Sequence, residues 1–198
     1  RLAGRCGDAL LLLEPPPVFT LGRHGGREHL MVDEAFLVRA GVDLVSASRG
    51  GSVTYHGPGQ LVAYPIVHLA RRRLGVADYV AALEDVMRAT AAHFGVAAVR
   101  SARNPGVWVG PRKLGSVGLC LRRGVAFHGL ALNAVNDLTP FGWVNPCGLA
   151  GVEMTSLARE TGRPLSMAVV REAFKAAFAT VLEGALEPCT LEDWKARL

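Results

Sequence analysis

Apolar and polar positions fall into blocks along the chain, and the blocks predict its elements. Ala9 to Leu13 is a continuous apolar run between Asp8 and Glu14, followed by Pro15-Pro16-Pro17. Such a run, stopped by residues that cannot donate to a ladder, predicts a buried strand. Met31 to Ala40 reads as a short helix closed before Gly41, and Val42 to Ser46 as a strand. Leu61 to Val67 is β-branched and aromatic, which predicts a buried strand leaving a glycine-rich loop. Beyond Asp78, a candidate N-cap, Val80, Leu83, Val86, Met87 and Phe94 recur at helical spacing until Gly95.

Short strand-like pieces follow at Val96 to Arg100, Gly106 to Val109, Lys113 to Leu121 and Val125 to Asn133. The dividers are turn-forming, and Arg122-Arg123-Gly124 reads as a hairpin turn. Ser166 opens a last helix through Val169, Val170, Ala173, Phe174, Ala177, Phe178, Val181 and Leu182, ending at Gly184. Strands and helices mix without a regular βαβ beat. The expectation is therefore α+β, a mixed or antiparallel sheet with helices around it, in one domain spanning residues 1–198.

Composition narrows the class. Half of the 198 residues are apolar and no polar tract is long, so disorder is excluded. The longest strongly apolar stretch has five residues, Ala9 to Leu13, against the roughly 20 that cross a bilayer, so no membrane association is expected. Arg1, Arg5 and Asp8 break up any secretory leader, and a start on a strand without Met suggests that an N-terminal element is missing. Cys6, Cys120, Cys147 and Cys189 form no Cys-x-x-Cys pair, which argues for reduced thiols and a cytoplasmic setting. The net charge of +5 is carried almost wholly by arginine, with runs at Arg71 to Arg73 and Arg122 to Arg123. Those runs read as a solvated edge or a face for an acidic protein. No aromatics interleave with them, so nucleic acid is not the expected partner.

Three segments carry candidate chemistry. In Arg49-Gly50-Gly51-Ser52-Val53-Thr54-Tyr55-His56-Gly57-Pro58-Gly59-Gln60, four glycines let the backbone approach a ligand, while Arg49, Thr54, Tyr55 and His56 supply donors and an aromatic wall. The alternative is a plain turn between strands. Asn145-Pro146-Cys147-Gly148 presents a thiol on an irregular stretch, although isolated cysteines are more often structural. A nucleophilic thiol needs a cation beside it to become thiolate at neutral pH. Of only three lysines, Lys113 heads a small-residue strand; a lysine at a turn pointing into water is its alternative. In the third segment, Phe127 to Asn133, His128 interrupts an apolar strand, as an auxiliary group or as a satisfied core histidine. No His-x-x-x-His or His-Glu pair occurs, so no metal site is indicated.

Together and in this order, these segments resemble the octanoyltransferases of lipoate biosynthesis. The likeness rests on residues 49–60, Arg112-Lys113 with Gly115-Ser116-Val117-Gly118, Arg123-Gly124-Val125, Phe127 to Asn133, Asp137-Leu138, Pro140-Phe141 and Asn145 to Gly148. It extends to about Leu157, with Pro15 where the family usually has His and Gly115 where Ala is more usual. The resemblance implies a fold like the catalytic module of biotin and lipoate protein ligases. It implies Cys147 as nucleophile, Lys113 as its partner, and an acyl site lined by Arg49 to His56, Ser116 to Gly118 and Gly129, Leu130 and Ala131. It further implies octanoyl acyl carrier protein as donor, and as acceptors the lipoyl domains of 2-oxoacid dehydrogenases and the glycine cleavage H protein. No cofactor is needed, since a thioester is already activated. An ATP-dependent lipoate or biotin-type ligase and a non-catalytic binder of acylated carrier domains are the competing readings.

Overall fold

The computed structural model describes residues 7–102, 104–145, 152–190 and 192. Two sheets share the chain. The larger is wholly antiparallel, in the order β1 (Ala9–Leu13), β5 (Gln60–His68), β9 (Val125–Asn133), β8 (Arg112–Arg122), β7 (Gly106–Val109) and β6 (Val99–Arg100). The smaller places β2 (Val18–Leu21) between β3 (Asp43–Ser46), parallel to it, and β4 (Val53–His56), antiparallel. With α1 (Glu34–Arg39), α2 (Val76–His93), α3 (Leu157–Thr161) and α4 (Met167–Val181), this is the expected α+β architecture.

Burial explains the layers. Tyr79, Leu83, Val86 and Met87 of α2 and Phe174 and Phe178 of α4 pack on Leu61, Leu114, Leu130 and Leu132 of the large sheet, a face that is apolar at every second position. A second cluster joins Phe19, Val53 and Tyr55 of the small sheet to Leu37, Phe141, Val144 and Met154. Phe141 belongs to a 3-10 turn at Thr139–Trp143.

Several expectations are refined. The β1 strand is half-buried rather than buried, because it pairs only with β5 and is a sheet edge. Two strands were not expected at all: β2, short and directly behind three prolines, and β4, inside the glycine-rich stretch. Asp78 is not the N-cap of α2. Gly75 holds that place, and Asp78 sits at the third helical position, its carboxylate accepting from the Gly75 N–H at 3.3 Å. The hairpin turn forms where expected, with Arg123 and Gly124 both at positive φ (50° and 79°) and Arg122 paired with Val125.

One irregularity matters for what lies above it. Between Ala63↔Leu130 and Val67↔Ala126 the β5–β9 pairing has no further rungs, and this gap holds Pro65, which has no N–H to give, and His128, whose φ is +58°. Gly129 is required there: a Cβ would lie 2.3 Å from the Ala63 carbonyl oxygen and 2.5 Å from Pro65 Cδ.

Candidate active site

A cleft of about 560 Å³ opens between the two hydrophobic clusters. Strand β8 runs along it from Lys113 through Ser116, Val117 and Gly118 to Leu119, and β9 contributes His128 to Ala131. Opposite lie Arg49 to Thr54 and His56. Every residue that the sequence placed in the acyl site therefore lines this cleft, except Tyr55. Its ring is 5.3 Å from that of Phe19 and 5.5 Å from that of Phe141, inside the second core, so the expected aromatic wall is corrected to a packing role. Thr54 and Tyr55 point to opposite faces of β4, and Val53, on the face of Tyr55, borders both the core and the cleft.

Arg49 is held in place by the small sheet. Its Nη2 donates to Thr20 Oγ1 at 2.7 Å and to the Thr20 carbonyl at 2.5 Å, and its Nη1 to the Gly50 carbonyl at 3.0 Å. The Gly50 N–H donates to the Leu119 carbonyl at 2.8 Å, laying the glycine-rich turn on β8, past the point where β7 stops pairing with it at Ser116. Gly118 eases that approach, since a Cβ there would fit tightly, 3.3 Å from Arg49 Cδ and 3.4 Å from the Gly50 carbonyl oxygen.

Lys113 does not point into water. It is 8% exposed, its Nζ donates to Asn104 Oδ1 at 2.5 Å, and the ammonium lies 5.4 Å from the centre of the Trp108 ring. Its backbone is pinned from both sides: its N–H donates to the Glu153 carbonyl at 2.8 Å and its carbonyl accepts from the Thr155 N–H at 2.9 Å. Cys147, with Pro146 and Gly148, lies outside the described residues, as does Cys6. The chain on either side of that segment is anchored at the cleft. The Asn145 N–H donates to the carbonyl of His29, a cleft residue, at 2.8 Å, and Met154 bridges to Lys113. Of the other cysteines, Cys120 is buried, with Arg23 Nη2 3.3 Å from its sulfur, and Cys189 is exposed.

His128 is held through Nε2 by Ser48 Oγ at 2.9 Å and lies edge-on to Tyr64. Burial, with the charges of Arg49 and Arg23, holds its imidazole below the ordinary value. His56 goes further: burial, opposed by its bond to Gln60 and helped by the Arg49 charge, takes it down to about 4. Gln60 Nε2 donates to Asn133 Oδ1 at 2.8 Å, so Gln60 Oε1 is the acceptor 2.7 Å from His56 Nδ1. His56 is thus neutral near pH 7, with its proton assigned to Nδ1. Its unfolded-state value near 6.5 lies above the folded one, so its contribution to stability is complete above 6.5 and is lost as pH falls towards 4. That contribution is on the order of 3 kcal/mol. Urea midpoints at pH 7 and pH 5 are expected to fall by less in His56→Gln than in the parent.

Sequence reasoning missed the polar chain behind the cleft. Asn133 Nδ2 donates to the Thr155 carbonyl at 3.0 Å, continuing the line His56–Gln60–Asn133 to the residue that holds Lys113. Its signal was present: Gln60 and Asn133 are polar ends of apolar strands, and they face each other in the β5–β9 register. Asn104, Met154 and Val76 also line the cleft without having been singled out as site residues, and Phe141 and Val80, read only as part of a motif and of a helical repeat, join them.

The two arginine runs meet. The Leu69 N–H donates to the Gly124 carbonyl at 2.9 Å, which brings the exposed Arg71 to Arg73 beside the hairpin tip of Arg122 and Arg123. This ridge is nine residues along β8 from Lys113, about 30 Å at a strand's rise of about 3.3 Å per residue.

The fold thus carries a largely apolar cleft with a buried lysine at one end. The sequence matches the family described as Lipoyl protein ligase A/B catalytic domain over residues 1–179. The chain belongs to that family and, by its relatives, to the octanoyltransferases within it; it is an acyltransferase. It is 52% identical over 178 residues to the octanoyltransferase of Desulfotalea psychrophila, covering 86% of this chain and 80% of the relative. To that of Maridesulfovibrio salexigens it is 43% identical, covering 91% and 84%. Among solved structures, lipoate-protein ligase A bound with ATP superposes with a TM-score of 0.79 at 15% identity, over 96% of this chain and 79% of that one. The bi-partite lipoate protein ligase of Thermoplasma acidophilum gives 0.76 at 17%, over 96% and 78%. At these identities the likeness to the ligases is one of fold. No helix among the described residues is long and apolar enough to cross a membrane.

Proposed function

We propose that this protein moves an octanoyl group from octanoyl acyl carrier protein to a lysine of a lipoyl domain, through a thioester on Cys147. The observation that carries this reading is Lys113. It is a buried ammonium at one end of an apolar cleft, with its backbone bonded to Glu153 and Thr155, in the irregular stretch that follows the Cys147 segment. Cys147 is two residues beyond Asn145, anchored at His29, and six before Glu153, anchored at Lys113.

The chemistry balances with these groups alone. The Cys147 thiolate attacks the donor thioester, the carbonyl–sulfur bond to the carrier breaks, and the departing thiolate takes a proton from the Lys113 ammonium. The acceptor amine then attacks the acyl-enzyme, an amide forms, the Cys147 thiolate leaves, and the neutral Lys113 amine collects the proton that the attacking nitrogen sheds. A thioester is already activated, so no ATP enters. Val62, Val117 and Leu130 offer the chain an apolar wall, and each of its methylenes removed from water contributes about 0.8 kcal/mol to binding. In this reading the donor is met in the cytoplasm, and the acceptors are lipoyl domains of 2-oxoacid dehydrogenases and the glycine cleavage H protein.

Intact mass measurement after mixing with octanoyl carrier protein tests reaction class and nucleophile together. The expected result is the gain of one octanoyl group, mapped to Cys147. No gain, or a gain at another residue, overturns the reading.

A further inference from the structure

Glu160 lies on the short helix α3, beyond the segments that carry the family resemblance, yet its carboxylate is bound on both flanks of Lys113. Oε1 accepts from Arg112 Nε at 2.9 Å and from Thr155 Oγ1 at 2.5 Å, and Oε2 accepts from Arg112 Nη2 at 2.9 Å. Arg112 is the residue before Lys113, and Thr155 is the residue whose N–H holds the Lys113 carbonyl. Thr155 is fully buried, and the Glu160 side chain is 11% exposed. The forked pairing of a guanidinium with a carboxylate fixes direction as well as distance.

We propose that Glu160 is a positioning residue for Lys113, clamping Arg112 and Thr155 so that the lysine enters the cleft at one fixed angle. The inference rests on the acyl-transfer reading above. The physical need is clear: an ammonium on a long flexible stem stabilises a thiolate only while held within a few ångströms of it, and the energy falls with distance. The Trp108 ring and Asn104 guide the tip of the side chain, whereas the clamp fixes its root. Arg112, and then the Thr155 hydroxyl, hold the Glu160 carboxyl below its ordinary value, so the clamp stays ionised through the neutral range. The guanidinium also offsets the carboxylate's charge, leaving the ammonium's field on the cleft.

The test compares Glu160→Ala, Glu160→Gln and Thr155→Val with the parent, reading kcat and KM for octanoyl transfer and the pH profile of Cys147 alkylation. For Glu160→Ala, kcat is expected to fall on the order of 10- to 100-fold, the scale set by a misplacement of about 1 Å, with KM little changed. Its alkylation midpoint is expected to move to higher pH, and Glu160→Gln, which keeps one oxygen for Arg112 Nε and Thr155 Oγ1 but turns an amide N–H₂ towards Arg112 Nη2, to recover part of the loss. A folded Glu160→Ala with the parent's kcat and alkylation profile overturns the proposal. So does a loss of kcat with an unmoved alkylation profile, which marks a merely structural role. Should Glu160→Ala fail to fold, Thr155→Val, close to isosteric, carries the same outcomes. If the parent itself gains no octanoyl group at Cys147, the acyl-transfer reading fails; if it does and only the variants match the parent, the clamp alone fails.

Discussion

Replacing Cys147 by alanine is expected to abolish octanoyl transfer while leaving the fold intact. In the proposed mechanism the thioester divides one hard step into two easier ones, and without the sulfur the acceptor amine would have to meet the donor directly, with no covalent intermediate and no positioned leaving group. Transfer should fall below detection, and the mass gain on mixing with octanoyl carrier protein should vanish with it. The urea midpoint of Cys147→Ala is the control that separates loss of chemistry from loss of fold. Alanine at Cys120 or Cys189 should retain transfer, since neither lines the cleft, and Cys6 is likewise expected to be dispensable. Residual transfer near the parent's rate in Cys147→Ala would remove the cysteine from the mechanism.

The second large effect is expected at Lys113. In the proposed mechanism, taking away the ammonium should make the Cys147 thiol harder to ionise, raising its apparent pKa. The sign follows from charge: a neighbouring cation favours the thiolate, so its removal disfavours it. Proton delivery is lost as well, and general acid–base assistance is typically worth about 10²- to 10⁴-fold. Lys113→Ala should therefore lose rate at every pH and shift its alkylation curve upward, whereas Lys113→Arg should keep the alkylation shift and lose the proton transfer. A Lys113→Ala protein whose alkylation curve overlies the parent's would exclude the electrostatic role.

The parts of the fold that could be read from the chain are those fixed by neighbours in sequence. The 122–125 hairpin announces itself because Arg-Arg-Gly between two apolar runs leaves few other turns, and α2 because its apolar positions repeat over five turns before a glycine. Contacts between distant segments left no such mark. The β2 strand has four residues, and its partners β3 and β4 lie more than twenty and thirty positions away, so nothing local distinguishes it from a loop. Asp78 was taken for a cap because an acid before a helical run serves at either position, and only the backbone decides between them.

The site divides the same way. The acyl-site residues carried by contiguous motifs were legible and, Tyr55 apart, they meet in one cleft. Tyr55 is the exception because a glycine-rich stretch reads as loop, which imposes no alternation, whereas the strand formed there sends that ring to the core. The polar line from His56 through Gln60 and Asn133 to Thr155 joins segments far apart in the chain, and each member alone is an ordinary residue ending a strand.

The two exposed arginine runs lie at the tip of the β8–β9 hairpin, far from the lysine, with Arg72 paired to Asp8 at 2.9 Å. At physiological ionic strength the Debye length is about 8 Å, so the ridge is electrically invisible to the bond-making atoms yet fully felt by an acidic domain drifting past that end. Salt and chemistry are thereby separated in space: on the acyl-transfer reading, added electrolyte slows the encounter with such a domain and leaves the bond-making step at Lys113 largely untouched.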